Sequence, residues 1–88
     1  MRLRWARTAT KHRIDHNRSG YVVNTATTII REPAPVRSPL KDERLVFLGA
    51  DREGVLLEVM AVETDVGVLI IHAMRMRAKY ERHLRGQP

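Results

Sequence analysis

The sequence predicts an α+β domain: one small antiparallel sheet with a helix before it and a short helix after it. Three observations carry this reading. The second half of the chain holds three apolar, β-branched-rich runs, "ERLVFLGA" (43–50), "VLLEVMAVET" (55–64) and "VGVLIIHAM" (66–74), parted by short turn-forming stretches. The first half has a different period, with Ile14, Tyr21, Val22, Thr25, Ala26 and Ile29 near helical spacing. Beyond the last apolar run, Met76, Tyr80 and Leu84 fall at i, i+4 and i+8, the docking stripe of a short helix whose separate face carries Arg75, Lys79 and Arg82.

In chain order, Leu3-Arg4-Trp5 is expected as a short N-terminal strand, and Thr8–Lys11 as a polar turn leading to the first helix, with Asp15 as its N-cap. Gly20 is a weak point inside that helix. Tyr21-Val22-Val23 and Thr27-Thr28-Ile29-Ile30 are β-branched enough to weaken its C-terminal end. "REPAPVRSPL" (31–40) holds three of the four prolines and is expected to be an exposed loop. The three apolar runs then form a meander, turning at "DREG" and around Asp65-Val66-Gly67. Strict alternation along the last strand places Val68, Ile70, His72 and Met74 on one face and Leu69, Ile71, Ala73 and Arg75 on the other. Residues 1–88 are expected to form one domain. At this length folding removes only ~60–65% of the unfolded chain's surface from water, so the core is thin and function sits near the surface.

Composition excludes several classes. Without cysteine there is no disulfide framework and no thiolate nucleophile. A metal would rest on the four histidines and the carboxylates, and only His12 and His16 share helical spacing, so neither a metal nor a cofactor is expected. The apolar run near Val66–Ile71 is too short to span a bilayer and the N-terminal stretch lacks a signal-like apolar segment; a soluble cytoplasmic protein is expected.

The net charge of +6 is segregated. Arg2, Arg4, Arg7, Lys11, Arg13 and Arg18 face Asp15 alone near the N-terminus, and Arg75, Arg77, Lys79, Arg82 and Arg85 face Glu81 alone near the C-terminus. Residues 42–65 reverse the sign, with Asp42, Glu43, Asp51, Glu53, Glu58, Glu63 and Asp65 against Arg44 and Arg52. Thirteen of the sixteen basic residues are arginine, whose planar fork suits bidentate phosphate contacts. This favours phosphate or nucleic-acid binding over simple decoration of the surface.

Several short stretches, in order, carry a family resemblance. Lys11-His12 precedes a hydrophobic residue at 14 and a cap at 15; Glu32-Pro33 closes the first helical region; Asp42-Glu43-Arg44 leads into a strand ending at Leu48-Gly49; and Ile70-Ile71-His72-Ala73 leads into a basic C-terminal helix with Lys79, Tyr80, Glu81 and Arg82. In these stretches, over residues 11–83, the chain resembles the BrnT-like toxins of type II toxin–antitoxin modules, a branch of the RelE/ParE-like fold. It departs from the family in the length of the Lys11–Pro33 stretch and in having His72-Ala73-Met74 where a Ser-Ala-Arg usually stands, the arginine falling at 75. The resemblance implies a RelE-like fold, an endoribonuclease that cleaves messenger RNA, in some cases on the ribosome, and a cognate antitoxin as partner, often a ribbon-helix-helix DNA-binding protein.

The side chains suit such chemistry. Attack of a ribose 2′-OH on the adjacent phosphate needs a base, cationic stabilisation of the phosphorane and an acid for the departing 5′ oxygen. His72 is a candidate for proton transfer, as is His12, with Arg75, Arg77 and Lys79 as candidate phosphate holders. Tyr80 reads either as a base-stacking or proton-donating group or, from its spacing with Met76 and Leu84, as core. Lys11, His12, Arg13, Arg44 and Arg82 are candidates for nucleic-acid contact. His72 is equally a structural histidine at a strand end, His12 a structural or phosphate-contacting one, and His16 and His83 exposed and without a role. Trp5 is expected to anchor the core rather than stack on RNA. Glu58 sits among apolar neighbours, so it either faces solvent or, the slightly preferred reading, pairs with an arginine across the sheet such as Arg44 or Arg75. The alternative reading of the whole chain is a non-catalytic basic module that binds nucleic acid or an acidic partner.

Overall fold

Five strands in the order β1-β5-β4-β3-β2 form one mixed sheet in the computed structural model, which describes residues 2–84. The strands are β1 (Arg2–Trp5), β2 (Thr28–Glu32), β3 (Arg44–Ala50), β4 (Leu56–Glu63) and β5 (Gly67–Arg75). The α+β class and the meander of three strands are as expected: β3 pairs antiparallel with β4, and β4 with β5. The expected sheet was smaller and wholly antiparallel. Instead β1 runs parallel to β5, and β2 adds antiparallel to the outer side of β3. The second difference has a local cause, since the β-branched run after Ala26 gains a ladder with β3 that a helix would not give it. The helical region therefore stops well before Glu32-Pro33.

Helix α1, His16–Thr25, begins where expected. Asp15 is in extended conformation, and its Oδ1 accepts a 2.9 Å hydrogen bond from the Arg18 amide. Gly20, apparently a flaw from sequence alone, is where α1 meets β1: a Cβ there would stand 3.3 Å from Trp5 Cζ2. Trp5 donates from its indole nitrogen to Ser19 Oγ at 2.9 Å and packs at the margin of the core. Between β1 and α1 the chain makes a 3-10 turn, Arg7–Thr10, beside β5.

The sheet has two apolar faces. Against α1 lie Leu45, Phe47, Leu57, Val59, Ala61, Val68, Ile70 and Ala73. On the opposite face Val46, Leu48 and Tyr80 form a smaller cluster, edged by Ile30, Met60, Met76 and Leu84. Tyr80 ends a short 3-10 turn, Ala78–Tyr80, that continues into α2, Glu81–Leu84, so the Met76, Tyr80 and Leu84 stripe docks as expected. Arg85, the last of the C-terminal basic run, lies outside the described residues. The proline-rich stretch is a loop from Pro33 onward. Among the described residues no helix is long and apolar enough to cross a membrane.

Alternation along β5 fails at one point. Met60 pairs with His72 but Ala61 pairs with Ile70, leaving Ile71 without an opposite residue on β4. This β-bulge shifts the parity of everything after it. Ala73 joins Val68 and Ile70 against α1, whereas His72 and Met74, opposite Met60 and Glu58, turn to the other face. The Ile71 carbonyl accepts a 3.1 Å hydrogen bond from the Thr8 hydroxyl.

Candidate functional site

The bulge brings His72 onto the face of Glu58, a carboxylate with no exposed surface at all. Glu58 is held by Arg77 rather than by Arg44 or Arg75. Its Oε2 accepts from the Arg77 amide at 2.9 Å, Arg77 Nε lies 3.1 Å from both oxygens, and Nη2 donates to Oε1 at 2.7 Å. Arg77 reaches this carboxylate because the chain, on leaving β5, crosses over the opposite end of β4, where the Met76 amide donates to the Leu56 carbonyl at 3.0 Å. Burial alone would raise the Glu58 pKa, but the hydrogen bonds and charge of Arg77 outweigh it and hold the group below the usual carboxylate range.

His72 Nε2 stands 3.4 Å from Glu58 Oε1, and the alignment gives no hydrogen bond, so this buried nitrogen has no hydrogen-bond partner among the described residues. Burial depresses the His72 pKa, with His12 and Arg77 acting in the same direction and Glu58 partly opposing them. At neutral pH the ring is therefore uncharged and can accept a proton. His12 packs edge-on against it, with ring centroids 5.3 Å apart at an interplanar angle of 67°. The contacts run Arg77, Glu58, His72, His12, with Glu58 the most deeply buried of the four.

His12 also lines a shallow cleft of about 380 Å³ with Arg13, Ile14, Arg18, Met74 and Arg75. Arg13, beside His12, holds a left-handed backbone (φ 66°), an unusual conformation for arginine of the kind that gathers at functional sites. Arg13 and Arg75 are exposed and have no ion-pair partner among the described residues, whereas Arg18 binds Asp51 at 2.9 Å. Asp51 accepts from the Val55 and Glu53 amides as well, and these bonds, with Arg18, hold its pKa low despite burial. The Arg18–Asp51 pair fastens α1 to the β3–β4 turn.

The candidate residues thus divide. His72 and Arg77 meet at Glu58, His12 packs on His72, and Arg75 and Arg13 flank His12 at the cleft. Lys11 is exposed just before His12. Lys79 is exposed with its ammonium 5.0 Å from the Tyr80 ring centre. Arg82 is exposed on α2, away from this grouping. Tyr80 is core: it is buried and donates to Glu32 Oε2 at 2.9 Å. Burial, then the Glu32 hydrogen bond, push its pKa well above the ordinary value near 10, so it presents neither a free ring face nor an available proton. Arg44 is buried too, its guanidinium donating to Ser38 Oγ and to the Leu40 and Asp42 carbonyls, where it ties down the loop and offers no surface cation. His16 is exposed but not idle, since it stacks on Trp5 with centroids 4.3 Å apart.

No family model, curated protein or solved structure matches the chain. The functional reading therefore rests on the residues themselves.

Proposed function

We propose that the protein is a metal-independent endoribonuclease acting in the cytoplasm as the toxin of a type II toxin–antitoxin module, built on a RelE-like, BrnT-like fold and neutralised by a cognate antitoxin. The observation that carries the reading is the histidine pair: an uncharged, half-buried His72, backed by the Glu58–Arg77 ion pair, meets an exposed His12 at the rim of an arginine-lined cleft. In this reading Arg13 and Arg75 hold the scissile phosphate in the cleft. One histidine takes the proton of the ribose 2′-OH as that oxygen attacks phosphorus, the other protonates the departing 5′ oxygen, and a 2′,3′-cyclic phosphate and a 5′-hydroxyl result. Arg77 acts through Glu58, keeping the carboxylate charged beside His72.

A second reading, a non-catalytic basic module for nucleic acid or an acidic partner, is favoured by two contacts. Arg77 engages both oxygens of Glu58, and Glu32 occupies the Tyr80 hydroxyl, as in a framework built for stability. An RNA-cleavage time course with wild type, His12→Ala and His72→Ala, run beside thermal melting and RNA-binding titrations, separates the two. The nuclease reading expects each variant to lose about 10²–10⁴-fold in rate while remaining folded and bound to RNA. Wild type that binds RNA without cleaving it, and leaves bacterial growth and transcripts intact when expressed alone, supports the binding module instead.

A further inference from the structure

The free edge of the sheet at β1 has the geometry of a docking rail. Arg2 donates its amide to the Val66 carbonyl at 3.1 Å and Ala6 donates to Ile70 at 2.8 Å. Successive residues of a strand direct their main-chain groups to opposite edges, so the N–H and C=O of Leu3 and Trp5 point away from β5. Among the described residues no strand lies beyond β1 in the sheet. On the α1 side of this edge a groove of about 440 Å³ runs between strand and helix, lined by Leu3, Trp5, His16, Gly20, Tyr21 and Asn24. Gly20 keeps the floor of the groove low, since it has no side chain to fill the space beside Trp5. On the other side of the same strand Arg2 and Arg4 are exposed and without ion-pair partners among the described residues.

We propose that β1 accepts an extended segment of another polypeptide, alternating apolar and acidic residues, as a sixth strand of the sheet. Its main chain would pair with Leu3 and Trp5. Its apolar side chains would drop into the groove beside α1, and its carboxylates would stand across from Arg2 and Arg4. Period-two alternation of an added strand matches the two-sided character of the edge. A second copy of this chain is disfavoured as occupant, because antiparallel β1–β1 pairing would set arginine against arginine. Residues 85–88, Arg85-Gly86-Gln87-Pro88, carry no acid and do not match this pattern. Arginines on an edge strand also guard against unwanted pairing, and on that account alone no peptide would bind. The inference stands on the edge and the groove and does not depend on the nuclease reading.

Trp5 is the only tryptophan and lines the groove, so its fluorescence reports occupancy. The experiment titrates the full-length protein with a synthetic peptide alternating valine and glutamate, with the same peptide N-methylated on alternate amides, and with a valine–lysine version. Saturable change in Trp5 emission is expected with the glutamate peptide. Binding should weaken about tenfold or more on N-methylation of the pairing amides, and by a similar factor in the Arg2→Glu/Arg4→Glu variant, which should then prefer lysine. Should the double variant fail to fold, the N-methylation comparison on wild type decides alone. The inference is overturned by no emission change, by equal binding of the N-methylated peptide, or by equal binding of the lysine peptide to wild type. It is also overturned if single-stranded RNA displaces the peptide and is itself weakened by the double variant, which would make the edge an RNA surface.

Discussion

Replacing Arg77 by alanine should destabilise the protein by about 3 kcal/mol at neutral pH, and by more than replacing Glu58 with glutamine. The asymmetry follows from burial. The Glu58 side chain is 0% exposed, while that of Arg77 is 44% exposed. Removing the guanidinium deletes its contacts at 2.7 and 3.1 Å and leaves a carboxylate that water does not reach, a change that costs roughly 3–5 kcal/mol for a buried pair. The low end applies because the Arg77 main-chain amide, 2.9 Å from Oε2, survives the substitution, and the departed side chain opens a path for water. In Glu58→Gln the side-chain oxygen still accepts one hydrogen bond from the guanidinium, whose remaining donors reach solvent, so about 1–2 kcal/mol is expected. Converting both residues to methionine should come close to neutral. Urea unfolding of the four proteins at pH 7 measures all three differences. A cost for Glu58→Gln equal to or above that for Arg77→Ala, or a cost below about 1 kcal/mol for Arg77→Ala, would refute the claim that burial of Glu58 governs the pair.

Further expectations concern pH, the β1–β5 contact and the C-terminal dock. Because the His72 pKa is lowered in the folded state, the unfolded chain binds that proton first; the stability is fully present above the ordinary histidine value of 6.5 and is lost as pH falls through the folded value. Unfolding free energies measured between pH 7 and 5 should therefore fall in wild type, by at most about 1.4 kcal/mol per pH unit from this group, and parallel curves for wild type and His72→Phe would contradict it. The depressed Glu58 pKa adds stability present above the ordinary value of 4.5 and lost as pH falls through its folded value, a loss that Glu58→Gln should abolish in acid unfolding curves. Gly67→Ala should push β1 from the sheet, since the new Cβ would lie 1.9 Å from the Arg2 carbonyl oxygen; a loss on the order of 1–3 kcal/mol and a red-shifted Trp5 emission are the readouts, and unchanged emission and stability would contradict the close approach. Tyr80→Phe should cost about 1 kcal/mol through the lost Glu32 hydrogen bond while leaving RNA binding and any cleavage intact, and a selective loss of cleavage would return Tyr80 to the candidate site.

What the sequence revealed follows from the range of the interactions involved. The Asp15 cap, the β3–β5 meander and the Met76, Tyr80, Leu84 stripe are local patterns, and the structure contains each. Thr27-Thr28-Ile29-Ile30 carried a visible strand propensity, but its commitment to β2 depends on pairing with β3, which begins more than ten residues later. The parallel approach of β1 to β5 has no local signature beyond the small residue at Gly67, which was legible only as a turn. At the candidate site the residue types were legible and the partners were not. Glu58 among apolar residues suggested either a solvent face or a cation partner, and choosing Arg77 over Arg44 or Arg75 needs the path of the chain after β5. Arg44 looked like surface charge because nothing in its spacing records the three loop oxygens that surround it.

Ile71, with no residue opposite it on β4, makes chain length itself a carrier of information. Every residue upstream of it in β5 is addressed to one side by even or odd count, and every residue downstream by the opposite rule, so drawing Ile71 into regular pairing would exchange the destinations of His72 and Ala73, whereas deleting Ile71 would leave both where they are. With the bulge ironed out and Ile71 retained, imidazole would enter the apolar layer under α1, a methyl group would face Glu58, and the ion pair with Arg77 would lose its register. Substitution at this point is a matter of packing and removal of Ile71 closes the ladder, whereas a slip that pairs Ile71 with Met60 reassigns the four residues that follow. The faces of the strand are thus set by where the extra residue sits: the register survives its loss and does not survive its incorporation.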